Sequence, residues 1–196
     1  AAAGIQYSIR LQELLLGLFA VSAGTVLLPH LTSAAARKDW SAFSADLSGV
    51  TRTIILLTLP VAVFSMVCGR EIIILLFRTQ AFDEASVDLT VSVFLFHMAG
   101  LVFIALNRIL APAFYSRSDA KTPTIGGLVS FSVNIALAFM LVGPLRGPGI
   151  AIALSVACAT NTAYLAIALG WSGLPGIKEA RRSALLYLLK ILAFSV

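Results

Sequence analysis

Apolar runs closed off by short polar stretches repeat along the 196 residues. A helix that crosses a bilayer needs about 20 predominantly apolar residues. The pattern places five such runs at Leu11–Leu31, Thr53–Cys68, Val87–Leu110, Thr124–Val142 and Gly149–Leu169. The second is short, and tilt or snorkelling of Arg52 extends it to Gly69. A sixth run begins at Ser183, and the sequence ends inside it. The stretch "EIIILLFRTQAF", Glu71–Phe82, is too short to cross and is expected to form an interfacial or re-entrant helix. The connection Thr32–Arg52 is expected to hold a short amphipathic helix anchored at the interface by Trp40 and Phe43. Pro60 is expected to kink the second span, and "GPLRGPG", Gly143–Gly149, to form a tight turn. The fold class that follows is all-α: a polytopic transmembrane helical bundle, with residues 1–196 forming a single lobe.

Composition narrows this further. Hydrophobic residues make up 59% of the chain and charged ones 12%, with a mean hydropathy of +0.97. A soluble domain carries about a quarter charged residues, so the solvent of this chain is mostly lipid. Arg10 precedes any apolar core, an order unlike that of a secretory signal peptide. Both ends are expected to be internal to a longer, transporter-sized chain.

The net charge of +5 is read as a topology signal rather than as a nucleic-acid footprint. Nine of the basic residues, among them Arg37, Lys38, Arg117, Lys121, Arg181 and Arg182, fall in the connections on one side. Four, Arg10, Arg70, Arg78 and Arg146, fall on the other. The nine-charge side is expected to be cytoplasmic. Cys68 and Cys158, isolated in separate runs, read as small packing residues rather than as a disulfide or a metal site. No metal-ligand spacing, phosphate loop or nucleophile motif occurs, so no catalytic residue and no cofactor is expected.

The candidate chemistry lies in "YSIRLQELLLGLFAVSAGTVLLPHL", Tyr7–Leu31. At about 100° per residue, Arg10, Glu13, Gly17, Ala20, Val21 and Gly24 share one face, and Leu15, Phe19, Ser22 and Val26 lie roughly opposite. A charge in mid-membrane costs at least about 2.5–3.5 kcal/mol and belongs in a bundle interior or a wet cavity. Two readings stand. Arg10 and Glu13 could be an i, i+3 pair snorkelling to the outer interface, with glycines that only permit close packing. Or the face is a cavity wall, in which Arg10 presents a planar fork suited to phosphate oxygens. Glu13 then holds Arg10 or takes part in a coupled protonation. "LNRILAPAFYSRSDAKTPT", Leu106–Thr124, is a second polar intrusion. It reads either as a plain positive-inside loop or as bringing Arg108 to the cytoplasmic end of the same cavity. His97, Asn134 and Asn161 are expected to make interhelical hydrogen bonds.

"YSIRLQELLLGLFAVSAGTVLLPHLT", "LAPAFYSRSDAKTPT" and "VGPLRGPGIAIALS" together resemble the MurJ/MviN family of bacterial lipid II flippases, within the MOP exporter superfamily. The resemblance covers nearly the whole chain. It implies the C-terminal lobe of a two-lobe flippase, from the eighth span to the start of the thirteenth, with an N-terminal lobe supplied by the same longer chain. It implies a multi-pass protein of the bacterial inner membrane. Its activity would be to move the lipid-linked peptidoglycan precursor from the cytoplasmic to the outer leaflet by alternating access, with lipid II as the anionic partner. By residue match, Arg10 is similar to the family's cavity arginine, Glu13 to its acidic neighbour, and Arg108 to a basic residue often found there. Ile9 stands where the family usually has Asp, which removes one possible partner of Arg10. Leu15 stands where Pro is usual, which implies a straighter first span. The alternatives are a non-transporting membrane scaffold, or a polysaccharide or drug exporter of the same superfamily. The Arg10 wall argues against a cationic drug.

Overall fold

The fold was read from a computed structural model, which describes residues 2–17, 22–77 and 83–171 together with Arg182 and Leu186. Among these residues there are seven helices: α1 (Ala2–Leu16), α2 (Ser22–Ala36), α3 (Trp40–Val67), α4 (Gly69–Phe77), α5 (Glu84–Tyr115), α6 (Lys121–Leu145) and α7 (Gly147–Trp171). Four of them, α3, α5, α6 and α7, are long and apolar enough to cross a membrane. The chain is a multi-pass, all-α membrane protein. The expected first run, Leu11–Leu31, is carried by α1 and α2, with 18–21 outside the described residues. Most of the sixth run, from Ser183, also lies outside them.

Helix boundaries depart from the sequence pattern where capping overrides hydropathy. The Thr32–Arg52 connection does not form a separate amphipathic helix. Thr32–Ala36 end α2, and Trp40 opens a helix that runs without a break into the second apolar run. The chain reverses at Lys38, whose φ of 55° is left-handed, and the Asp39 carboxylate accepts from the Ala42 N–H at 3.0 Å, the usual way of satisfying an orphan donor at a helix start. Pro60 lies within α3 and does not end it. Pro112 likewise lies inside α5, which extends through "LAPAFY" to Tyr115. The α6–α7 turn is tighter than "GPLRGPG" implies. Only Arg146, at φ 51° and ψ −121°, separates α6 from α7. Gly149 makes this possible, because a Cβ there would drive into the Leu141 carbonyl.

α5 is the axis of the fold and is in contact with each of the other helices. Its Phe94, Met98, Leu101, Ile109 and Phe114 meet Phe43, Ile54 and Ile55 of α3 in the buried core. Lipid tails are as apolar as leucine, so close packing and interhelical hydrogen bonds hold such helices together. The α5–α7 seam has both. Gly100 lies directly against Ser155, whose hydroxyl donates to the Phe96 carbonyl at 2.7 Å. Further along, the Asn107 amide donates to the Cys158 carbonyl at 3.1 Å, and the Thr162 hydroxyl lies 3.0 Å from the Asn107 Oδ1. Across α6–α7, Ser130 donates to the Ala157 carbonyl at 2.8 Å. Asn161 is not the interhelical donor–acceptor expected of it: its Oδ1 is buried without a hydrogen-bond partner, close against Gly126.

Candidate functional site

α1 is fixed to α5 by one polar face. Ser8, Gln12 and Leu16, spaced i, i+4 and i+8, are all buried. The Ser8 hydroxyl lies 2.6 Å from His97 Nδ1, and the Gln12 amide donates to the His97 backbone carbonyl at 2.7 Å. His97 itself is buried and does make the interhelical bond expected of it. Tyr7 stacks on Phe77 at the end of α4, with ring centroids 4.5 Å apart. Leu11 and Leu15 pack at the edge of the core.

The opposite side of α1 is open. Arg10, Glu13, Leu14 and Gly17 are exposed, and among the described residues no neighbour lies within 4 Å of a Cβ built at Gly17. The face that the sequence singles out is therefore the one that α5 leaves uncovered. Arg10 and Glu13 are not joined by a salt bridge. Among the described residues the salt bridges are those of Arg70 with Glu84, at 3.1 Å, and with Asp88. Ala20 and Val21, expected on the same face, lie outside the described residues. Ile9, next to Arg10, is half-buried, and α1 is continuous through Leu15.

The depth of Arg10 follows from its neighbours. Asp88 and Arg108 on α5 are separated by 20 residues, about 30 Å of helix, which matches the hydrocarbon thickness of a bilayer. Arg146 falls at the level of Asp88, because Ser155, nine residues further on, bonds to Phe96. His97 lies almost midway in this frame. Ser8 and Gln12 both reach His97, so Arg10 between them lies at the level of the middle of α5. Arg108 is exposed on the same side of α5 as His97, eleven residues on, or about 16 Å along the axis. The fold thus presents Arg10 and Glu13 together and keeps Arg108 about three turns away, toward the basic connections.

Those connections touch one another. The Arg117 guanidinium lies 5.8 Å from the centre of the Trp40 ring, clipping the α5–α6 connection to the start of α3. Trp40 also meets Phe43 edge to face at 6.0 Å. Asp119 accepts from the backbone N–H of Thr122 at 3.0 Å and from its hydroxyl at 2.7 Å. Both bonds hold its carboxyl below the usual carboxylate range. At the other end of α5, Asp88 and Glu84 raise the Arg70 guanidinium above its ordinary value. Among the described residues no group of three or more His, Cys, Asp or Glu gathers around a possible metal position.

The sequence pattern marked the open face of α1 but missed its anchors. Ser8 and Gln12 carried a usable signal: polar residues at i, i+4 in register with Leu16, on the side away from Arg10. Nothing local marked Arg117 as the partner of Trp40.

The family model described as "Lipid II flippase MurJ" matches residues 1–195. A probable lipid II flippase MurJ of Treponema pallidum (strain Nichols) is 41% identical over 195 residues, covering all of this chain and 37% of the relative. One of Rhizobium tropici is 33% identical, covering 86% of this chain and 32% of the relative. The Lipid II flippase MurJ of Burkholderia cenocepacia is 31% identical over 177 residues, covering 89% of this chain and 34% of its own length. A solved structure described as "Lipid II flippase MurJ, inward closed conformation" superposes with a TM-score of 0.78 at 23% identity, covering 99% of this chain and 41% of that one. The chain spans about a third of the length of these curated relatives, and it belongs to the MurJ lipid II flippase family.

Proposed function

We propose that the protein containing this chain is a transporter that moves the lipid-linked peptidoglycan precursor, lipid II, from the cytoplasmic to the outer leaflet of the bacterial inner membrane. In this reading residues 1–196 belong to the C-terminal lobe, and an N-terminal lobe closes the other side of a central cavity by alternating access. Arg10 meets the diphosphate of the substrate through two parallel N–H donors, Glu13 tunes or orients it, and Arg108 extends the positive wall toward the cytoplasmic end. The observation that carries this is the place of Arg10: mid-membrane, on the side of α1 that the bundle leaves open. An arginine there is costly unless it meets water or an anion. A scaffold would have no use for it at that depth, and a cationic drug would be repelled.

The test is complementation of a flippase-depleted cell with the complete protein, with abundance in the membrane followed in parallel. Arg10→Ala is expected to abolish growth at normal abundance. Arg10→Lys is expected to rescue it only partly, because the ammonium keeps the charge and loses the fork. Charge-assisted hydrogen bonds of this type contribute about 1.5–3 kcal/mol, roughly tenfold to a hundredfold in affinity. Normal growth with Arg10→Ala would reduce Arg10 to an anchor and remove the basis of the proposal. Glu13→Gln is expected to be milder than Arg10→Ala if the carboxylate only orients the arginine. It is expected to be equally severe if its proton is part of the cycle.

A further inference from the structure

We propose that His97 is a positioning residue: together with Ser8 and Gln12 it fixes the rotation of α1 about its own axis, and so decides that Arg10 and Glu13 face the cavity. This rests on the reading of Arg10 as a cavity residue. It adds an assignment for three residues that face away from that cavity.

The geometry supports rotation rather than mere attachment. A helix held to its neighbour by apolar contacts alone can turn by tens of degrees at little cost, because leucines tolerate many arrangements and lipid accepts whatever they expose. Two directional bonds one turn apart remove that freedom. The Ser8 hydroxyl meets His97 through the imidazole ring at 2.6 Å, and Gln12 meets the same residue through the main chain at 2.7 Å. The side chain and backbone of one residue thus hold two points on one stripe of α1. Turning α1 by one residue, about 100°, would break both bonds. It would also carry Arg10, which lies nearly opposite that stripe, toward lipid or toward the packed side.

The depth of the contact strengthens it. Ser8, Gln12 and His97 are each buried, near the middle of the span, where water cannot replace a lost bond. Asp88, which pairs with Arg70, lies nine residues, about 14 Å, nearer the start of α5. Tyr7, stacked on Phe77, also holds α1 beside α4.

The experiment uses the complete protein without native cysteines, carrying single cysteines at each position from 9 to 17. A membrane-impermeant thiol reagent is applied and the labelling rate is read along the helix. With the anchor intact, fast positions are expected at 10, 13, 14 and 17, and slow ones at 12 and 16. His97→Leu or Ser8→Ala, each of which removes the Ser8 bond and leaves that of Gln12 to the main chain of residue 97, is expected to narrow the fast-to-slow contrast by about threefold. Each interhelical hydrogen bond in a membrane is worth roughly threefold in the balance of states, so Ser8→Ala with Gln12→Leu should narrow the fast-to-slow contrast by about tenfold. Ser8→Thr, which keeps the hydroxyl, should restore the pattern. His97→Asn, which keeps a polar atom near the Nδ1 position, should restore it in part.

Flipping of lipid II by the same variants is expected to fall in step with the lost contrast. An unchanged labelling pattern in His97→Leu at normal abundance would overturn the proposal, whatever happens to transport. A flattened pattern with Arg10→Ala still functional would leave the anchor standing and instead refute the cavity role of Arg10.

Discussion

Gly100 is where the packing of α7 on α5 is most exposed to a single added methyl group. A Cβ built on Gly100 would come within 2.9 Å of the Ser155 Cβ and 3.1 Å of its Cα. The Cα is backbone and cannot swing aside, so Gly100→Ala must push the two helices apart. Overpacking of this kind costs about 1–3 kcal/mol. The separation also lengthens the bonds that cross the seam: Ser155 to the Phe96 carbonyl at 2.7 Å, Asn107 to the Cys158 carbonyl at 3.1 Å, and Thr162 to the Phe103 carbonyl at 3.1 Å. Interhelical hydrogen bonds in membranes average about 0.6 kcal/mol, so weakening all three adds up to about 2 kcal/mol. The gain in helix propensity on replacing glycine by alanine returns about 1 kcal/mol. The net expectation is a destabilisation of about 2–4 kcal/mol. The assay is reversible unfolding of the complete protein in mixed detergent micelles. Gly127→Ala serves as the control, because a Cβ there meets nothing within 4 Å. Gly100→Ala with Ser155→Gly, which removes the Cβ and hydroxyl of the neighbour, should recover part of the loss. Equal stability of Gly100→Ala and Gly127→Ala would refute the close-approach argument.

Three further outcomes are expected. In a background free of native cysteines, Ser118→Cys should react with an impermeant reagent only from the cytoplasmic side and Asp83→Cys only from outside; labelling of Ser118→Cys from outside would invert the topology. The Asp119 carboxyl is held below its ordinary value by Thr122, so its contribution is complete above the unfolded carboxylate value, about 3.9, and fades as pH falls through the folded one. The unfolding midpoint should therefore drop on acidification less steeply in Asp119→Asn than in the parent protein. Trp40→Ala should loosen the α5–α6 connection, read as faster proteolysis near Arg117, whereas Trp40→Phe should retain most of the protection because it keeps an aromatic face under the guanidinium.

The membrane class, the long α5, α6 and α7 helices and the basic connections were all legible in the sequence, since hydropathy and charge act within one segment at a time. So was the division of α1 into a face bearing Arg10, Glu13 and Gly17 and a bulkier face, because helical periodicity is local. Helix ends were less legible. A left-handed Lys38 followed by Asp39 splits α2 from α3, but the helix that opens at Trp40 then runs unbroken into the apolar run where the pattern implied a separate element, and the fold carries α5 through Pro112 where composition suggests a loop.

What only the tertiary structure decided is which residues meet. Ser8 and His97 are 89 positions apart, and no periodicity within either helix selects one as the partner of the other. The same holds for Arg117 over Trp40, for Arg70 between Glu84 and Asp88, and for Ser155 against Gly100. Each pairing depends on the relative depth and rotation of two helices, which packing fixes after both have formed. The sequence alone could place an arginine on one face of a helix. Only the packing of α1 on α5 decided that this face stays open beside the middle of α5, because the polar atoms on the other face find their partners in His97.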